Sequence, residues 1–189
     1  VRLQYSIDEC FFAFESANPK EQIEELKRQV ERLVGIPVSV GVSSSKTRAK
    51  YVNSVAKKTG GIAVWDDADW NKHASSIKLS DIWGVGRERT KSFAEKGIVM
   101  VEDLLKTDTG MVGNFFGIEG VRLQTELMGR SVSEVKNQRI AQKSIMSTRS
   151  FAETTTEYSV VEDAVMYHLH QAVKDLESMD LLTNSLRIM

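Results

Sequence analysis

The chain has 189 residues, of which 41% are hydrophobic, so it is long enough to bury one substantial core or two small ones. Its 25 Lys and Arg residues nearly balance 26 Asp and Glu residues, which excludes a uniformly basic coat and leaves only local patches for nucleic acid. The single cysteine, Cys10, excludes an intramolecular disulfide, and no apolar run approaches the roughly 20 residues that span a membrane. We therefore expect a cytoplasmic protein in which Cys10 is a small buried hydrophobe.

The first third of the chain predicts alternating strands and helices. Hydrophobic periodicity and capping signals indicate strands at about 3–14, a helix at 19–34, a strand at 36–42, a helix at about 46–58 and a strand at 62–65. The first helix is expected to begin with a capping box of Asn18 and Glu21 and to end at Gly35. Its inner stripe is predicted to contain Ile23, Leu26, Val30 and Leu33. Ser43 to Ser45 offer hydroxyl caps to the second helix, and the element order predicts an α/β layer.

Beyond Asp66 the sequence predicts short helices separated by glycines, without a strand pattern until about residue 143. An extended segment at 143–151, an amphipathic helix at about 160–179 and a strand at 186–188 then predict the start of a further unit. The inner stripe of that helix is predicted to contain Val161, Ala164, Val165, Leu169, Ala172, Val173 and Leu176. Core or interdomain packing, rather than base stacking, is the expected role of Trp65, Trp70 and Trp83, and core packing is expected for Phe115 and Phe116.

Two adjacent carboxylates, Asp8 and Glu9, follow Ser6 and Ile7 between apolar stretches. Carboxylates in an apolar setting are costly unless a cation neutralises them, and their oxygens suit Mg²⁺. Successive side chains on a regular strand point to opposite faces, so both acids reach one ion only at a strand end, bulge or bend. A polar turn without a metal is the alternative interpretation.

A cationic face is predicted on the second helix. At about 100° per residue, Lys46, Lys50, Asn53 and Lys57 fall within one arc, whereas Ala49, Val52, Val55 and Ala56 gather on a packing side. Between Ser43 and Trp65 there is no acidic residue, and the positive charges are Lys46, Arg48, Lys50, Lys57 and Lys58. Such a surface would attract a polyanion such as a triphosphate, and together with the carboxylates it suits phosphoryl transfer. An ordinary solvated face is the alternative.

A glycine-bearing turn is predicted at Gly84, Val85 and Gly86, before a helix that begins near Arg87. Apolar–Gly–apolar–Gly turns between helices are typical of the helix–hairpin–helix, whose glycines let backbone N–H groups approach a phosphate. Contacts of this kind hold DNA without reading its sequence. A tight turn between packed helices, without a ligand, is the alternative.

Taken in this order, the segments 6–9, 38–61 and 79–105 resemble the Y-family (UmuC/DinB) translesion DNA polymerases, and 143–151 resembles the opening of the little finger in the UmuC branch. The resemblance implies a partial palm sheet with packed helices at 1–76, an all-α helix–hairpin–helix thumb at 77–138 and the truncated start of a little-finger domain at 139–189. It further implies a DNA-directed DNA polymerase of error-prone repair.

The resemblance also implies roles for individual residues. Asp8 and Glu9 match two catalytic carboxylates that coordinate two Mg²⁺ ions, and Lys57, with Lys50 on the same face, matches the contact to the triphosphate. Gly84, Val85, Gly86 and Arg87 match the part of the thumb that holds the duplex backbone. The implied partners are damaged template–primer DNA and a dNTP, with a sliding clamp and accessory SOS proteins as further partners that the resemblance allows.

The chain departs from the family pattern at both ends. The family's first catalytic aspartate and its fingers would precede Val1, and most of the little finger would follow Met189. We therefore expect the parent protein to be a polymerase and the chain alone to be inactive in primer extension. A non-catalytic DNA-binding scaffold and a palm-type nucleotide cyclase are the alternatives, although the glycine turn is not expected in a cyclase.

Overall fold

The structure is a computed structural model that describes residues 2–6, 8–16, 18–132 and 144–188. Contacts between Cα atoms divide the chain into two compact units, Val1–Asn137 and Gln138–Met189. The finer division into palm, thumb and little finger stays a prediction. Its second predicted boundary, at 138–139, lies outside the described residues.

The first unit follows the predicted order of strands and helices. In chain order its elements are β1 (Arg2–Gln4), β2 (Cys10–Phe12), α1 (Pro19–Val34), β3 (Val40–Val42), α2 (Lys46–Ala56), β4 (Ile62–Val64), α3 (Asp67–His73), α4 (Arg87–Ala94), α5 (Val101–Lys106) and α6 (Thr109–Leu127). Short 3-10 turns occupy Ala74–Ser76 and Leu79–Asp81. The strands are shorter than predicted, because only three residues of each are paired.

The strands form two separate two-stranded sheets within the described residues. β1 and β2 pair antiparallel as a hairpin, with Leu3 opposite Phe11. β3 and β4 pair parallel, with Gly41 opposite Ala63, and α2 forms the crossover between them. This β3–α2–β4 unit fixes the direction of α2 relative to the parallel pair.

α2 lies directly against β3 because Gly41 has no side chain. A Cβ atom at this position would lie 2.1 Å from the backbone N of Asn53 and 2.6 Å from the carbonyl O of Ala49. Both atoms belong to the helix backbone, which cannot rotate away as a side chain can. Contact between strand and helix is therefore at the backbone level and leaves little freedom in their separation.

The main core lies beneath α2 and is built from Val52 of this helix and from residues that follow the parallel pair. Its buried members are Val52, Trp70, Ala74, Ile77, Leu79, Ile82, Val85, Phe93, Ile98, Val101, Leu104, Val112, Leu123 and Leu127. Val52 and Ala56 of α2 are fully buried, which confirms the predicted packing side of this helix. Burial of Trp70 was also predicted correctly, whereas Phe115 is 48% exposed and the prediction of a core position was wrong.

The start of α2 is joined to the end of α6 by buried polar contacts. The Ser45 hydroxyl donates to the carbonyl O of Glu126 at 2.7 Å, and the Glu126 carboxylate accepts from the backbone N of Thr47 at 3.1 Å. Nε of Arg48 donates to the carbonyl O of Leu127 at 2.9 Å. The last carbonyls and the first N–H groups of helices lack partners within the helix, so the bonds to the carbonyl O of Leu127 and from the backbone N of Thr47 satisfy such groups.

Three further predictions about side chains require correction. Asn18 occupies the N-cap of α1, but its side chain makes no capping hydrogen bond. In the predicted inner stripe only Ile23 is buried, and Leu33 is 78% exposed, because no described element packs over that end of the helix. Cys10 is exposed rather than buried, since it lies on a two-stranded hairpin.

The second unit is dominated by α7, which spans Tyr158–Ser178. None of its residues is buried, and Val161 and Val173 of the predicted inner stripe are exposed. The described part of the predicted extended segment, 144–151, and residues 186–188 form no strand. The Ser147 hydroxyl and Nδ1 of His168 lie 2.7 Å apart and connect the irregular segment to the helix. Among the described residues, every helix is too short or too polar to cross a bilayer.

Substitution Gly41→Ala is expected to lower the free energy of unfolding by at least about 3 kcal/mol, because the new methyl group overlaps the backbone of α2. Urea denaturation followed by circular dichroism measures the change. Gly113→Ala is the matched control, since its Cβ would meet only ordinary contact, 3.4 Å from Val121, and the substitution favours helix. Equal stability of both variants would contradict the close packing of β3 on α2.

Candidate active site

The two predicted carboxylates lie in the bend of the β1–β2 hairpin. The backbone N atoms of Tyr5 and Ser6 donate to the carbonyl O of Glu9 at 3.0 and 3.2 Å, which closes the bend. Asp8 and Glu9 precede β2 and are not part of its paired ladder. The alternation of side chains on a regular strand therefore does not force the two acids to opposite faces.

Asp8 is exposed and ionises easily. The Ser6 hydroxyl donates to its Oδ1 atom, and this hydrogen bond is the largest cause that holds the pKa of Asp8 below its ordinary value. A hydrogen bond with its own backbone amide acts in the same direction, and the positive charges of Lys57 and Lys50 lower the pKa further. Asp8 thus lies within the field of both lysines that the sequence analysis selected.

Glu9 forms an ion pair with Lys50. Its Oε2 atom is 2.8 Å from Nζ of Lys50, and the side chains are 33% and 24% exposed. The structure therefore brings the hairpin acids to the cationic side of α2. Lys57 is exposed at the C-terminal end of the helix.

The orientation of α2 explains this arrangement. Val52 and Ala56 are fully buried against the sheet and the core, so the opposite side of the helix, with Lys50 and Lys57, faces outward to the hairpin. Ser45 caps the helix by accepting from the backbone N of Arg48 at 3.3 Å, as predicted. Because α2 is fixed in this way, the backbone positions of Lys50 and Lys57 are fixed as well.

Arg48 does not belong to the cationic surface, which corrects the sequence analysis. Its side chain is 3% exposed and makes hydrogen bonds to Leu127, Ser44 and Asp67. Its guanidinium lies 4.9 Å from the ring centre of Trp70. Burial lowers the pKa of Arg48, and the contact with Asp67 opposes that effect. The residue joins helices and is not available to a ligand.

The donor set at the hairpin bend suits a divalent cation only as part of a larger site. Carboxylate oxygens are the ligands that Mg²⁺ prefers, and Asp8 and Glu9 supply them on one bend. The described residues contain no group of three or more His, Cys, Asp or Glu side chains that could hold a metal. A cation bound at Glu9 would also compete with Lys50 for the same carboxylate.

An aromatic cluster beside the carboxylates was missed by sequence reasoning. The ring centres of Tyr5 and Trp83 are 5.1 Å apart and those of Phe11 and Trp83 are 6.0 Å apart. Nζ of Lys50 lies 4.7 Å from the ring centre of Tyr5 and 4.6 Å from that of Trp83. Trp83 was expected in core or interdomain packing, and no local pattern signals its contact with a lysine on another element.

The glycine turn lies between the Leu79–Asp81 turn and α4. Gly84 has a φ of 87°, a conformation that glycine adopts without strain, and Gly86 is the N-cap residue of α4. Val85 is buried in the core and anchors the turn, while Arg87 is exposed at the first position of the helix. Nη1 of Arg89 donates to the carbonyl O of Gly84 at 3.2 Å.

An open groove of about 420 Å³ connects this turn with the start of α2. Its charged lining residues are Lys46, Arg89, Glu119, Arg122 and Glu126. Arg122 pairs with Glu119 at 2.7 Å, and Glu126 binds the start of α2, so the acids of the groove are engaged within the protein. Within the first unit, the turn and the cationic helix therefore border one shared depression.

Comparisons with known proteins agree with this fold. Residues 2–54 match the model of the impB/mucB/samB family. Protein MucB of Escherichia coli is 30% identical over 183 residues, which cover 93% of this chain and 44% of MucB. DNA polymerase IV 2 of Mycobacterium bovis is 30% identical over 161 residues, 84% of this chain and 46% of that protein. The chain thus spans somewhat less than half the length of these relatives.

A solved structure gives the same result at the level of the fold. A Y-family DNA polymerase chimera of Dbh and Dpo4 matches with a TM-score of 0.62 and 19% identity, over 82% of this chain and 44% of that chain. A mixed fold with many helices and small sheets is therefore shared with Y-family polymerase domains. The chain is similar in fold to the Y-family DNA polymerases. More narrowly, its predicted resemblance to the UmuC-like, impB/mucB/samB members of that family is confirmed.

Substitution Ser6→Ala is expected to raise the pKa of Asp8 toward its ordinary value, because it removes the largest cause of the lowered pKa. Carboxyl ¹³C NMR during a pH titration measures this pKa. A folded-state pKa below the unfolded value means that ionised Asp8 stabilises the fold above the unfolded pKa, and this contribution disappears as pH falls through the folded pKa. Ser16→Ala, which alters a different exposed hydroxyl, is the control. An unchanged titration of Asp8 in Ser6→Ala would refute the hydrogen bond.

Proposed function

We propose that the chain forms part of an error-prone Y-family translesion DNA polymerase, which extends a primer past template damage by nucleotidyl transfer. The main support for this proposal is that two acids of the hairpin bend lie near two lysines of α2. Glu9 pairs with Lys50 at 2.8 Å, and Asp8 lies in the field of Lys57 and Lys50. Relatives named MucB and DNA polymerase IV 2 support the same activity.

In this proposal each group has a separate task. Asp8 and Glu9, with a further acid from the remainder of the polymerase, hold Mg²⁺, which when bound neutralises charge on the reacting phosphates. Lys57 and Lys50 bind the triphosphate of the incoming dNTP and orient it toward the hairpin. Because its hydrogen bonds and the nearby lysines hold the pKa of Asp8 below its ordinary value, this exposed carboxylate is ready to accept a cation at physiological pH.

The glycine turn serves DNA in the same proposal. Residues 1–76 form part of the palm, 77–138 the thumb and 139–189 the start of the little finger. Gly84, Val85 and Gly86 bring backbone N–H groups to a phosphate of the template–primer duplex, and exposed Arg87 adds a positive charge. A sliding clamp and accessory SOS proteins would act on parts of the polymerase outside these contacts.

The catalytic role of Asp8 can be tested in a chimera in which the chain replaces the matched residues of MucB. Asp8→Asn is expected to reduce primer extension by about 100-fold or more, because a lost metal carboxylate removes several kcal/mol of transition-state stabilisation. Duplex binding should remain. Glu24→Gln, at an exposed acid of α1, is the control and should extend primers normally. Full activity of Asp8→Asn would refute the proposal, and a chimera that binds DNA but is inactive with Asp8 intact would favour a scaffold.

The purified chain is expected to bind duplex DNA weakly, without sequence preference, and without primer extension. Binding should weaken as salt rises, since each phosphate contact releases counterions. Arg87→Gln should reduce the slope of log affinity against log salt by about one unit, whereas Lys72→Gln, with the same change in net charge on α3, should not. Fluorescence anisotropy at several salt concentrations measures both. Binding that is independent of salt would contradict phosphate contacts at the turn.

A further inference from the structure

The ammonium group of Lys50 is held by three different groups. Oε2 of Glu9 lies 2.8 Å from Nζ, and the ring centres of Tyr5 and Trp83 lie 4.7 and 4.6 Å away. Cations are attracted to the faces of aromatic rings within about 6 Å, and indole is the strongest partner. Lys50 is therefore enclosed by one carboxylate and two rings.

The two rings come from different elements of the first unit. Tyr5 lies in the hairpin bend that carries the acids, whereas Trp83 directly precedes Gly84 of the glycine turn. The rings meet edge to face, with an interplanar angle of 85°, and Phe11 of β2 packs against both. The hairpin, α2 and the glycine turn thus meet around one ammonium group.

We propose that Trp83 is a positioning residue, which with Tyr5 forms an aromatic seat for the Lys50 ammonium and so places this lysine between the carboxylates and the glycine turn. The seat is defined by the rings of Tyr5 and Trp83. The consequence of the seat for nucleotide binding rests on the proposed function, whereas its effect on Lys50 does not.

The ion pair alone would not fix Lys50. Both side chains of the pair are partly exposed, and exposed ion pairs between flexible side chains restrain them weakly. A lysine side chain has many rotamers, and two rings restrict them from directions that Glu9 does not cover. If a divalent cation takes the Glu9 carboxylate, the seat still holds Lys50 near the position from which it would meet a triphosphate.

NMR of the purified chain tests the seat without any ligand. Ring currents of Tyr5 and Trp83 should displace the ε-CH₂ signals of Lys50. These signals are assigned by their absence from the spectrum of Lys50→Met. Trp83→Leu is expected to move these signals most of the way to free-lysine positions, while Trp83→Phe keeps part of the displacement. Trp65→Leu is the matched control, since Trp65 stacks on His73 at 4.6 Å and packs against the rings of Tyr51 and Trp70 rather than against Lys50. Unmoved Lys50 signals in folded Trp83→Leu would overturn the proposal.

Titration of the same variants with dATP and Mg²⁺ tests the consequence. Trp83→Leu should weaken dATP binding by about 5-fold, while Trp83→Phe and Trp65→Leu change it by less than about 2-fold. Moved Lys50 signals with unchanged dATP affinity in Trp83→Leu would overturn the link from the seat to nucleotide binding. A wild-type chain that binds no dATP, but whose Lys50 signals move in Trp83→Leu, would count against the proposed function and still support the seat.

Discussion

The arrangement of the first unit depends on the contacts that the buried guanidinium of Arg48 makes. The guanidinium donates to the last turn of α6 through the carbonyl O of Leu127, and it contacts Asp67 at 2.6 Å. Hydrogen bonds to charged groups contribute about 1.5–3 kcal/mol, whereas exposed ion pairs contribute roughly 0–1 kcal/mol. Because the Asp67 side chain is 71% exposed, the fully buried bond to Leu127 contributes more. A cation at the C-terminal end of α6 also interacts favourably with the helix dipole.

The contacts of Arg48 help to hold α2 rigidly in the candidate site, whereas the hairpin that carries the acids is less constrained. α2 is fixed by Gly41 on β3, by Val52 in the core and by Arg48 at α6, so the backbone from which Lys50 extends has little freedom. The hairpin that carries the acids is a two-stranded ribbon, and such ribbons have marginal stability on their own. Its contacts with Lys50 and Trp83 therefore matter more for its placement than its own ladder does.

Features encoded by neighbouring residues could be predicted from the sequence, and features that depend on distant partners could not. The Ser45 cap and the two sides of α2 follow from spacing along one helix, and both were predicted correctly. Arg48 was assigned to the cationic surface because a helical projection cannot show that α6 ends beside it. Cys10 and Phe115 have apolar neighbours in the sequence, but their burial depends on which elements pack over them. The contact of Trp83 with Lys50 could not be predicted for the same reason, because it joins residues that are distant in the sequence.

Exposure of Cys10 has a practical consequence. It is the one sulfhydryl in the sequence, and it directly follows Glu9. A maleimide or nitroxide reagent would therefore modify a single atom, beside the carboxylates, without prior removal of other reactive sites. A reporter attached there would sense metal or nucleotide arrival as a change in fluorescence or spin mobility. The exposure that rules out a core position for Cys10 therefore makes it suitable for site-specific labelling.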